Sequence, residues 1–356
     1  MIGLSTRMNR RCRLPAWSGG ILLLFIVGQA CGDGSSIPTE AAHPTDPAPT
    51  APTDSSAVPG DSLAPPDSTV IPPSDSSPTP IPGTDSSSLP GIAFGTYNMP
   101  TSYLDSIHTG SMLGGPLSPS NIVSVLTATR SKGARLVIKL CKGRDSYVKN
   151  ADGTFSFTKW KALIDQYRSV NLEPFISDGT ILGHFLIDEP HRTVKWGGKI
   201  IPQSTIEAMA AYSKEIWPAM PTLVRVVPSW LATAPVTYRH LDAGWLQYAA
   251  GKGEVTQLAT AEVAAAKGLG LGLVVGVNLL NGGDGSSKMP GSRAGEYEMT
   301  ATELRKYGTA LLNQSYACGF YMWNHDLDYY ERSDMKTAMA ELSVTAKAHA
   351  KTSCRQ

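Results

Sequence analysis

From residue 91 onward the sequence predicts an α/β fold, a (β/α)8 barrel of the TIM type. Three observations lead there. Apolar runs of strand length alternate with amphipathic segments of helix length, the pattern of a parallel sheet covered by helices. The strand runs are almost continuously apolar, as strands buried on both faces are. No strand is followed by a glycine phosphate loop, which speaks against the competing open, doubly wound sheet. The body of roughly 265 residues also has the size of one barrel.

The predicted strands are Ile92–Tyr97, Leu136–Leu140, Ile181–Ile187, Thr222–Val227, Gly244–Tyr248, Leu271–Leu279 and Gly319–Trp323. Helices are expected near 119–132, 158–169, 203–216, 254–267, 301–314 and 334–350. Ser118-Pro119 puts proline at a first helical position, and Thr300-Ala-Thr-Glu303 reads as a capping box. Gly133 and Gly268 fit helix C-termini. Gly-Leu-Gly-Leu-Gly at 268–272 precedes its strand and is a turn. Seven strands are legible, so closure requires an eighth, with 142–157 and 171–176 as the candidate places.

Residues 1–30 have the order of a secretory signal peptide. Arg7, Arg10, Arg11 and Arg13 precede the apolar run Ile21–Val27, and Gly28 and Ala30 supply small residues before Cys31. The run is too short to span a bilayer. Cys31 after Ala30 resembles a bacterial lipoprotein box, although Gly28 stands where that pattern usually has Leu. The resemblance implies a lipid anchor on Cys31 and an exported chain facing the periplasm or cell surface. Plain cleavage near Ala30 is the alternative. Residues 31–90 are almost wholly Pro, Ser, Thr, Asp, Ala and Gly, too apolar-poor to offset the entropy of ordering, and are expected to form a disordered tether.

The net charge of +1 hides an asymmetry, because residues 32–90 carry eight acids and no Lys or Arg. The body therefore has 27 basic and 22 acidic side chains. They are spread along the chain without the clustered stripe of a nucleic-acid surface, so nucleic acid is excluded as a partner. The membrane is met through the N-terminal lipid only, no cofactor is called for, and a monomer is expected. Among the body's cysteines, Cys318 opens the last strand and Cys354 closes the last helix, which runs antiparallel to it. Both should lie near the N-terminal face and form a disulfide, which export permits. Cys141, at the opposite end of its strand, should remain a buried thiol.

In a barrel the reacting groups sit where strands end. Those ends carry Asn98, Asp188-Glu189-Pro190-His191 (placed after the third strand), Pro228-Ser229-Trp230, Asn278 and Asn281, and Trp323-Asn324-His325-Asp326. Trp can stack on sugar faces, amides and acids can pair with hydroxyls, and glycosidic cleavage uses two carboxyl groups. The strongest element is the strand ending Asp188-Glu189, whose adjacent acids should point to opposite sides before Pro190 stops the strand. Its competing reading is structural, with Asp188 capping a turn and Glu189 in an ion pair. A metal set of His184, Asp188 and His191 is weaker still, and no serine-hydrolase elbow occurs.

Strand-Asp-Glu-Pro resembles the strand-Asn-Glu-Pro signature of the large clan of retaining (β/α)8 glycoside hydrolases. The resemblance implies that Glu189 is the general acid/base and Trp323 the sugar floor. From their own places at strand ends, Asn98, Asn278 and His191 are expected as further contacts to a polysaccharide. Two departures stand against it. Asp188 replaces the clan's Asn, and the strand expected to end in a nucleophilic Glu ends in Asn278-Leu-Leu-Asn281. The second carboxylate is then sought at Asp326, next at Asp188, then at Glu296 in the long loop 281–299. A carbohydrate-binding envelope lipoprotein without catalysis is the alternative function.

Overall fold

The computed structural model describes residues 90–112, 117–350 and 354. The signal segment, Cys31 and the tether up to residue 89 lie outside the described residues. Eight parallel strands close into a barrel in sequence order. They are β1 (Ala93–Tyr97), β2 (Gly110–Met112), β3 (Arg135–Ile138), β4 (Ile181–Asp188), β5 (Thr222–Arg225), β6 (Ala243–Tyr248), β7 (Gly272–Val277) and β8 (Ala317–Met322). Pairing of β1 with β8, from Ala93–Gly319 to Thr96–Met322, completes the ring. The predicted (β/α)8 barrel is the observed fold.

The eighth strand is β2, in neither of the places expected for it. Residues 171–176 largely fall in a short helix, and 142–157 holds a 3-10 turn at Asp145–Val148. β2 escapes a pattern search because it is Gly-Ser-Met, with one apolar side chain. What holds it is backbone proximity: a Cβ on Gly95, its partner across β1, would meet the Gly110 carbonyl oxygen at 1.6 Å. Glycine at that register position is what lets the two strands pair.

The helices are α1 (Ile122–Ser131), α2 (Phe157–Asp165), α3 (Glu173–Ser177), α4 (Gln203–Ile216), α5 (Pro228–Leu231), α6 (Val255–Leu269), α7 (Ala301–Leu312), α8 (Leu327–Tyr330) and α9 (Ser333–Lys347). Six of them answer the predicted helices; α3, α5 and α8 are single turns too short to leave a periodic signal. The capping box at α7 forms in both directions, with Thr300 Oγ1 accepting the Glu303 amide at 3.1 Å and Glu303 accepting the Thr300 amide at 2.7 Å. Gly133 takes the left-handed conformation after α1. At α6 that role falls to Gly270 rather than Gly268, which stays inside the helix. Pro119 lies in the turn ahead of α1, whose N-cap is Asn121. Among the described residues no helix is long and apolar enough to cross a membrane.

The barrel interior is filled by rings. Trp245 meets Tyr97 at 5.1 Å, Tyr321 at 5.4 Å and Phe185 at 5.9 Å, all four buried. Burying a ring of that size stabilises by about 1.5–3 kcal/mol, so this layer is a packed core and not a channel. Trp245 and Tyr248 are thus core residues. At the N-terminal face Cys318 and Cys354 are bridged, and Cys141 is free and buried.

Candidate active site

With β2 in place, Asp188-Glu189-Pro190 ends the fourth strand. The expectation that its two acids face opposite ways is corrected: both line one cavity of about 470 Å3 at the C-terminal rim. Two features of the chain cause this. The register between β4 and β5 shifts between Phe185 and Asp188, a bulge that breaks the alternation and lets both residues reach the cavity although they are three apart. Glu189 then adopts φ 47°, a left-handed conformation uncommon for a residue with a Cβ, which turns the chain before Pro190. The same bulge separates Asp188 from His184, which faces the helical layer. There its Nδ1 lies 2.9 Å from Ser213 Oγ and its ring stacks on Trp160, and burial pushes its pKa down to about 3. Among the described residues no group of three or more His, Cys, Asp or Glu is placed to hold a metal ion.

The cavity is an ion network built from four strand ends and the loops after β3 and β4. Arg225, at the end of β5, donates Nε to Asp188, Nη1 to Gln247 at 2.6 Å, and sets Nη2 3.3 Å from Glu189. Lys195, on a 3-10 turn at Thr193–Lys195, donates to Asp188 and lies 2.9 Å from Asp145 and 3.9 Å from Glu189. Arg192 reaches Glu189 at 3.2 Å, and Lys139 of β3's end reaches Asp145 at 3.3 Å. Burial alone would raise the Asp188 carboxyl, but Arg225 and Lys195 outweigh it and hold that pKa well below the usual carboxylate range. Asp188 is therefore a fixed anion. The aromatic side is Tyr97 and Trp323, edge to face at 5.3 Å, with the Arg225 guanidinium 5.7 Å from each ring.

Of the residues predicted for the site, Asp188, Glu189, Asn98, Asn278 and Trp323 line this cavity. Asn98, left-handed at φ 58°, donates Nδ2 to Asn324 Oδ1 at 2.8 Å. Asn278 stands at the end of β7, bridged through its backbone to Trp323. Asp326 and His191 are elsewhere. Asp326 accepts the Tyr329 amide as the N-cap of α8, and the exposed His191 packs on Trp230. Glu296 faces Arg293, and Glu298 faces Arg332, each at 3.8 Å. The ion-pair reading of Glu189 thus describes its contacts correctly, and the turn-cap role foreseen for Asp188 belongs to Asp326. Sequence reasoning missed Asp145 and all five cations: Lys139, Arg192, Lys195, Arg225 and Arg293. A signal existed for Arg225, a charged residue ending an apolar strand like Asp188 itself.

No family model matches the chain, and no curated protein matches it. Solved structures do resemble it. An FMN-binding beta-glucuronidase from Facaelibacterium prausnitzii L2-6 is 12% identical, with 67% of this chain and 38% of that chain covered, at a TM-score of 0.47. A GH113 beta-1,4-mannanase is 10% identical over 72% of this chain and 99% of that one, TM-score 0.45. An endo-1,4-beta-mannanase from Eisenia fetida is also 10% identical, over 74% and 92%, TM-score 0.43. The chain thus spans about two fifths of the glucuronidase. All three are named as enzymes that act on glycosides.

Proposed function

We propose that this chain is a glycoside-hydrolase-like protein that engages a polysaccharide or oligosaccharide at the barrel rim, with Glu189 as the general acid. The observation that supports it is the convergence of Asp188 and Glu189 in one rim cavity beside Trp323, which the bulge and the left-handed turn of β4 bring about. Glu189 is assigned the proton donated to the leaving oxygen, while Asp188, kept charged by Arg225 and Lys195, stabilises positive charge that develops on the sugar. The two-carboxylate pair would then come from one strand end, with Asp145 as the third acid in reach of the same Lys195. The same reading takes residues 1–30 as an export signal and Cys31 as a lipid anchor, leaving the barrel outside the cytoplasm as a tethered monomer.

A second reading, saccharide binding without cleavage, is favoured by two observations. β7 ends in Asn278, and each carboxylate in the cavity is paired to a cation. The deciding experiment is reducing-sugar release by wild type and Glu189→Gln across a polysaccharide panel, run with gel retardation by the same polymers. Release by wild type alone supports the hydrolase. Retardation of both proteins without release selects the binding reading. Neither signal rejects a saccharide role.

A further inference from the structure

The unused hydrogen-bonding capacity of the rim cavity points to the charge of its ligand. Titratable side chains lining it number five cations (Lys139, Arg192, Lys195, Arg225 and Arg293) against three acids (Asp145, Asp188 and Glu189). Glu296 lies outside the lining, and counting it against Arg293 still leaves one positive charge in excess. All six carboxylate oxygens of those three acids already have a cationic nitrogen within 4 Å. The charge of each carboxylate is thus already met by a cation, and hydrogen-bond donors stand unused beside them. The Tyr97 hydroxyl and Gln247 Nε2 are buried with no partner among the described residues, and both residues line the cavity.

The excess charge is at the mouth. Lys139, Lys195 and Arg225 are largely buried against acids, whereas Arg192 and Arg293 have side chains 39% and 55% exposed. Arg293 comes from the loop between β7 and α7, where Asn281 Oδ1 accepts its amide at 3.2 Å and the Ser292 hydroxyl at 3.0 Å. That hook brings the guanidinium to the same cavity that Arg192, from the loop after β4, lines. A carboxylate is an acceptor-only group that matches such guanidinium forks.

We infer that the cavity takes an anionic saccharide, a uronate-bearing chain whose carboxylate is met by Arg192 and Arg293. This rests on the saccharide reading above and narrows it to a substrate class. The test measures affinity of the full chain, by titration calorimetry, for galacturonan, glucuronan and alginate oligosaccharides. Each is paired with its carboxyl-reduced, neutral counterpart, and a sulfated neutral oligosaccharide is added. At least one uronate should bind about tenfold tighter than its reduced form, the effect of one charge-assisted hydrogen bond. Arg293→Gln, at an exposed position, should remove most of that preference, and Arg293→Lys should restore part of it. Equal or tighter binding of the reduced forms overturns the inference and leaves the saccharide reading standing. So does a preference for the sulfated ligand, or a uronate preference untouched by Arg293→Gln. Failure to bind any member, charged or neutral, overturns both.

Discussion

Replacing Arg225 by Met would test whether the rim is organised by charge. The methionine keeps most of the apolar stem and removes the guanidinium that spans Asp188, Glu189 and Gln247. Asp188 has a side chain only 18% exposed and would keep Lys195 alone, while Glu189 would keep Arg192. Breaking one side of a buried ion pair typically costs about 3–5 kcal/mol, because the remaining charge is left without compensation. The retained Lys195 contact puts the expected loss at the lower end, about 3 kcal/mol. The pH dependence gives a sharper signature than the magnitude. Asp188's folded pKa is depressed, so its contribution is complete above the unfolded carboxylate pKa and is lost as pH falls through the folded value. Arg225→Met depresses it less and has less to lose. The difference between wild type and variant should be full at pH 7 and shrink below about pH 4. Urea unfolding followed by tryptophan fluorescence at pH 7, 4 and 3 reads both quantities. A difference below about 1 kcal/mol at pH 7, or one that stays constant with pH, would refute the view that Arg225 and Asp188 are the electrostatic centre of the rim.

Two further outcomes are expected. The Cys318–Cys354 bridge closes a chain segment with a sequence separation of 36. In the chain-entropy account it stabilises by about 4 kcal/mol, so Cys318→Ser with Cys354→Ser should lower Tm by roughly 10 °C in a circular dichroism melt. Saccharide retardation in gels should be unchanged, because the bridge lies at the barrel's opposite face; a shift under roughly 2 °C would deny it a stapling role. His184 stays neutral when folded and charges when unfolded, so stability should be complete above pH 6.5 and fall as pH drops toward 3. The slope attributable to it is about 1.4 kcal/mol per pH unit, and His184→Gln should flatten unfolding midpoints between pH 6.5 and 5; an unchanged slope would reject the assignment.

The parts of the fold that were legible in the sequence are those whose burial is expressed by side chains. β4, β6 and β7 are long apolar runs, and α7 announces itself by Thr300 and Glu303, so their positions followed from composition and capping. β2 did not, for a physical reason. Its place in the sheet depends on two glycines, Gly95 and Gly110, that let strands approach, and an approach of backbones leaves no hydrophobic pattern. With β2 counted, Asp188-Glu189-Pro190 ends the fourth strand and not the third, as its position in the sequence pattern suggested. The disulfide followed from topology, because the last helix returns the chain to the face where Cys318 begins β8; α9 ends at Lys347, so Cys354 lies beyond the helix it was expected to close.

The rim was legible by residue type and not by direction. Alternation assigns Asp188 and Glu189 to opposite faces, and only a bulge with a left-handed residue puts them together. Local sequence carries no clear sign of either, as Glu is a poor left-handed residue. The cations were harder still, since Lys139, Lys195, Arg225 and Arg293 are separated by tens of residues and share a site only once the barrel is closed. Their effect reverses the expectation drawn from the acids. Read singly, a pair of carboxylates at a strand end offers acceptors for sugar hydroxyls. Read together with the four loops and strands that face them, the same acids are anchors that hold a surplus of cations in place. On the uronate inference a neutral chain binds such a cavity about tenfold more weakly, because it brings no charge to the half-exposed guanidinium groups of Arg192 and Arg293, and that is why the uronate pair experiment, more than cleavage itself, decides between the two kinds of ligand.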